Sequence, residues 1–132
     1  MNPAWRLERA TDRNRAHPSS FEIPPREQRE SLGPGWKVKL LFWLPDGDGE
    51  SCERMWVVIS EVPGPGRYRG RLESRPLTDP WRWELGTVIE FDESHVCDVL
   101  EAPEWREQLE MLEAFAGGDE TWAAYQRRSR PS

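Results

Sequence analysis

Hydrophobic and polar positions alternate with a period of two through the middle of the chain. In "WKVKLLFWL" Val38, Leu40, Phe42 and Leu44 fall on one side, which predicts a strand over 36–44. Its other side begins with Lys37 and Lys39 and turns apolar at Leu41 and Trp43, so one end should be buried on both faces. "CERMWVVISEV" predicts a second strand over 52–62, with Met55, Val57 and Ile59 inward and Arg54, Trp56 and Val58 opposite. "PGPG" joins it to a third, "RYRGRLES", whose inward set is Tyr68, Gly70 and Leu72. A glycine at such a position marks a bulge or a close approach of backbone. "TVIEFD" (87–92) and "SHVCDVL" (94–100) complete a set of five.

The flanks read as helices. Residues 3–16 can form one from Pro3, but Trp5 and Leu7 are its only large apolar residues. Without an apolar stripe it should be a frayed arm. "PPREQRESLGPG" predicts a short helix, bounded by proline and glycine. From Pro103, Trp105, Leu109, Leu112 and Ala116 recur at helical spacing beside Glu104, Glu107, Glu110 and Glu113. This helix should lay its apolar stripe, with Trp105 and Leu109, on the open side of the sheet. A last helix opens at Asp119.

The expected fold class is α+β: a strongly curved antiparallel sheet, or small partly open β-barrel, of about five strands with flanking N- and C-terminal helices. Residues 1–20 form the expected arm and 21–132 a single domain, with a β core over 33–100 and helices over 103–128. The length of 132 residues suits one domain.

Composition adds three constraints. Eight tryptophans supply large buried areas from few residues. The net charge of −6 argues against general affinity for nucleic acid, since phosphate binding needs a positive field. The two cysteines, Cys52 and Cys97, have no metal-ligand spacing and read as free buried thiols. No apolar run is long enough to span a membrane, and the N-terminus lacks an apolar signal core. A soluble, cytoplasmic protein without cofactor or metal is the expectation.

"ERMWVVISEV", "YRGRLESRP" and "LGTVIEFDESHVCDV" resemble an uncharacterised family of small bacterial domains. That family joins a Met-Trp-Val strand to a Gly-x-Leu-x-x-x-Pro segment, then to a Gly-x-x-Ile/Val-x-Phe strand leading into Ile/Val-x-Asp. The matching residues are Met55, Trp56 and Val57; Gly70, Leu72 and Pro76; Gly86, Ile89 and Phe91; Val96 and Asp98. "GWKVKLLF" resembles the preceding strand, so the likeness covers residues 33 to 100. Ser74 departs from the asparagine or aspartate expected in the turn. The resemblance implies an accessory or regulatory protein, in some members an immunity protein of a bacterial toxin system. It implies no activity.

Candidate chemistry is sparse. Arg67, Arg69 and Arg71 share one face of the third strand, either solvated and paired with neighbouring acids such as Glu61 or Glu53, or forming a basic binding row. Trp56, Trp81 and Trp83 could extend that row, since arginine and tryptophan are enriched at binding hot spots. In a strand, His95 and Cys97 would share a face, the minimal arrangement of a nucleophile and its base, but no oxyanion-hole glycine motif accompanies them. "DGDGE" reads as a hairpin turn, not a calcium loop. The expected function is a non-enzymatic binding or regulatory module acting through protein–protein contacts, of immunity type in one form. The alternatives are a single-stranded nucleic-acid binder that stacks bases on Trp56, Trp81 or Trp83, and an enzyme using His95 and Cys97.

Overall fold

The computed structural model describes residues 5–73, 86–101 and 105–116, without the side chains of 105, 106, 108 and 114–116. Trp81, Trp83 and the expected helix from Asp119 lie outside the described residues.

Four strands, β2 (Trp36–Asp46), β3 (Gly49–Gly64), β4 (Arg67–Leu72) and β5 (Val88–Asp92), form an antiparallel meander. The β2–β3 turn is two residues long, with Gly47 at φ 62°, and Gly66 stands at φ 67° in the turn before β4. These are conformations that glycine adopts without strain. Two further strands share the other edge of β2. The short β1 (Arg6–Glu8) pairs with 41–43, and β6 (Asp98–Glu101) pairs with 36–39.

A link of five residues, opening with the one-turn 3-10 helix Glu93–His95, carries the chain from β5 to β6. In a flat sheet those strands would stand roughly 19 Å apart, four strand spacings. A link that spends three residues in a helical turn falls short of that distance. The sheet therefore curls into an antiparallel half-barrel with a few flanking helices, the α+β architecture expected from the sequence.

Inside the curl lies the main core. Val38, Leu40, Phe42 and Leu44 meet Met55, Val57 and Ile59, then Tyr68, Leu72, Ile89 and Phe91, all of them buried. The period-two alternation in β2, β3 and β4 selects these faces as read. The helix α2 (Arg26–Glu30) lies beside this core. The Tyr68 hydroxyl donates to the Arg29 carbonyl at 2.7 Å and accepts from the Leu32 amide at 3.3 Å. Arg29 is itself buried, and its guanidinium donates to the Pro24 carbonyl and to the carbonyl and carboxylate of Glu93. A buried charge needs such a partner set to be tolerated.

Two sequence expectations need correction. Residues 3–16 are not one frayed helix. The described part is β1 followed by α1 (Ala10–Ala16), with Trp5 and Leu7 packed on the main core and Ala10 fully buried. Glu8 fixes this segment: it accepts from Arg13 at 2.7 Å and from the Trp43 indole at 2.8 Å. The Arg13 hydrogen bond leads in holding its carboxyl below the ordinary range, against the burial that opposes it. Nor is 94–100 a strand throughout. Asp92 caps the 3-10 turn by accepting from the Ser94 amide, and β6 starts only at Asp98.

The outer face of the sheet carries two separate covers. Ala10 and Phe21 pack with Leu41 and Cys97 at one end. At the other, α3 (Trp105–Ala116) buries Leu109, Met111 and Leu112 against Val58. Leu109 and Leu112 belong to the expected stripe, whereas Met111 was not anticipated. Glu107, Glu110 and Glu113 stay exposed, as expected.

Candidate functional site

The arginine row of β4 divides into three different environments. Arg69 sits in register with Glu61 and Glu90, donating to Glu61 at 2.9 Å and to Glu90 at 3.0 Å. These acids on both neighbouring strands raise its already high pKa further, the Glu90 hydrogen bond leading. Arg71 donates to the Gly86 carbonyl at 3.0 Å. Arg67 is exposed. The row is therefore not a uniform basic stripe. Cross-strand pairing takes up its middle member.

Arg67, Arg69 and His95 do meet, in a cleft of about 290 Å³ that also includes Tyr68, Glu90 and Asp92. Trp56 and Arg71 are not part of it.

His95 and Cys97 do not meet. The 3-10 turn rotates His95 away from the face it would share in a strand, and the two side chains line separate clefts. His95 Nδ1 accepts the Asp92 amide at 3.1 Å, closing a capping box. The Cys97 thiol donates to the Lys39 carbonyl at 3.0 Å, and burial pushes its pKa up to about 11. It is a protonated thiol at neutral pH, without the neighbouring base that a cysteine nucleophile requires.

Burial also holds the His95 imidazole below its ordinary value, against the pull of Asp92. Folded His95 thus binds a proton less readily than the unfolded chain does. The stability this contributes is complete well above the unfolded value of about 6.5 and is lost as pH falls from there through the lower folded value. Melting curves between pH 7.5 and 5 should show this loss, and His95→Gln should flatten it. A wild-type melting temperature constant over that range would separate His95 from folding.

A second cleft, of about 380 Å³, opens on the outer face of the sheet. Strand register places Lys39 of β2 and Arg54 of β3 in its lining, with Trp56 next to them on the same face and outside it. Along β3 the outward residues run Cys52, Arg54, Trp56, Val58, and Lys39 of β2 stands opposite Trp56. Cys52 and Val58 belong to the two covers. Arg54 and Trp56 lie between them. The segment from Ser20 to Pro24 forms one wall, and Cys97 and Asp98 another. The Lys39 ammonium lies 4.8 Å from the Trp56 ring centroid, and the Arg54 guanidinium 5.3 Å from that of Phe21. Sequence reading singled out Trp56 but missed Lys39, Arg54 and Phe21, which come together only through the β2–β3 register and the fold-back of the N-terminal segment.

No family model, curated protein or solved structure matches the chain. Among the described residues no group of histidine, cysteine and carboxylate side chains could hold a metal ion. Nor is any helix among them long and apolar enough to cross a membrane.

Proposed function

We propose that this protein is a non-enzymatic binding module that acts through protein–protein contacts, with Trp56 at the centre of its contact surface. One observation carries the reading. The outer face of β2 and β3 is covered at both ends, and between the covers lies a half-buried tryptophan with a cation over its ring and a second cation beside it. Aromatic and arginine side chains in a partly enclosed setting are the usual anchors of protein interfaces. The resemblance of residues 33–100 to small bacterial accessory and immunity-type domains supports the same reading and suggests a regulatory role.

The test is affinity capture from the native host, comparing wild type with Trp56→Ala. Trp56 is half-buried, so its removal should cost about 1–2 kcal/mol of stability, less than the 3–5 of a fully buried tryptophan. The variant should remain folded and lose its partner. Equal recovery of the partner by both proteins would remove Trp56 from the interface. Single-stranded oligonucleotides titrated at low salt should not bind. Binding that falls steeply with added salt would favour the nucleic-acid alternative instead.

A further inference from the structure

The cleft beside Trp56 is lined by two cations, Lys39 and Arg54, and two carboxylates, Glu22 and Asp98, that form no ion pair with them among the described residues. Arg13, Arg29, Lys37 and Arg69 each hold a carboxylate at ion-pair distance. Lys39 and Arg54 hold none among the described residues, and their charged groups lie over the Trp56 and Phe21 rings instead. Asp98 stands opposite Lys39 in the β2–β6 register, yet its carboxylate accepts the Val99 amide at 2.8 Å while the Lys39 ammonium lies over Trp56. Glu22 stands exposed among the wall residues and pairs with neither.

This geometry favours an incoming anion. A cation stacked on a ring keeps N–H donors available away from the ring, while the stacking limits its side-chain freedom. Less ordering then remains to be done when a ligand arrives. The space suits one or two side chains rather than a large cofactor. The chain's net charge of −6 gives no general attraction for anions, so capture depends on these two donors at close range.

We propose that Lys39 and Arg54 form a carboxylate-recognition site, and that its occupant is an aspartate- or glutamate-rich segment of the partner protein. This rests on the binding-module reading above and specifies the chemistry of the partner. The acidic side chain enters between the Ser20–Pro24 wall and the sheet, and the flanking peptide lies over Trp56.

The probe is a fluorescein-labelled peptide of ten residues containing Glu-Asp-Glu, titrated against the full chain by anisotropy at about 0.1 M salt, where charges further apart than roughly 10 Å are screened. Saturable binding is expected, weakened about tenfold or more by Arg54→Glu and by Lys39→Glu. The double variant should instead bind a Lys-rich peptide of the same length. Circular dichroism on each variant separates lost binding from lost folding, and Arg54→Gln gives a milder loss if the reversal unfolds the chain. Two outcomes overturn the proposal: no binding of the acidic peptide, or binding that the folded charge variants leave unchanged. Should either occur while Trp56→Ala still abolishes partner capture, the binding-module reading stands and only the acidic occupant is wrong. Should partner capture also survive Trp56→Ala, both fail.

Discussion

Gly70→Ala is expected to destabilise the protein by about 3 kcal/mol or more, at the upper end of what overpacking costs. A Cβ at this position would lie 2.5 Å from the Val58 carbonyl oxygen and 2.6 Å from a Val57 methyl. The oxygen is backbone, and β3 is held between β2 and β4, so it cannot yield without separating two strands. The register of β3 on β4 shifts next to this contact, between Ile59 and Glu61, as it does where a strand bends at a bulge. The glycine therefore permits the close approach of β4 to β3 beside this shift. For a domain with a total stability of 5–15 kcal/mol, the melting temperature should fall by on the order of 10 °C. Gly33→Ala is the control, because a Cβ there meets nothing within 4 Å. Equal melting of the two variants would mean that the β3–β4 spacing is adjustable.

The second large effect lies on the opposite face of the sheet. Leu112 is fully buried against Val58, itself fully buried on the outer side of β3. Leu112→Ala should cost about 3 kcal/mol, within the usual range for emptying such a site. Leu112→Asp should cost more, because it brings an unpaired carboxylate against an apolar surface. An isolated helix of twelve residues is marginal in water, so the aspartate variant should release α3 altogether. Hydrogen exchange would read this directly as lost protection in α3 and partial loss around Val58, with the inner core still slow. Protection of α3 unchanged in Leu112→Asp would show that the helix is held by other contacts.

These two positions show what the sequence made legible. Period-two alternation fixed the inner faces of β2, β3 and β4, and the isolated glycine at 70 within an apolar alternation pointed to a close approach. The apolar stripe of α3 located Leu109 and Leu112 but not the strand they would meet, which depends on contacts distant in sequence. β1 is three residues long and gives no periodic signal; it becomes a strand because Arg6, Leu7 and Glu8 lie opposite Trp43, Phe42 and Leu41. The 3-10 turn did carry a local signal, since Asp92 precedes it as a cap, but the apolar residues Val96, Val99 and Leu100 obscured it. The candidate site was legible only in part. The spacing of Arg67, Arg69 and Arg71 and the pairing with Glu61 were visible, whereas Glu90 reaches Arg69 only through the alignment of β5 with β4. Lys39 and Arg54 lie on different strands, and the hairpin brings them to one cleft.

The division of the outer edge of β2 between β1 and β6 has a consequence during synthesis. The β2–β3 hairpin can close once Gly64 has been made, but the edge at 36–39 has no partner until Glu101 follows. A bare, partly apolar strand edge is a template for pairing with another chain. The other half of that edge is in a different position, because β1 precedes β2 and can cover 41–43 as soon as the hairpin forms. Only three residues long, β1 thus guards the apolar stretch Leu41–Trp43 while the rest of the sheet is still being made. A chain lacking it should aggregate during expression even where the finished fold would tolerate the loss.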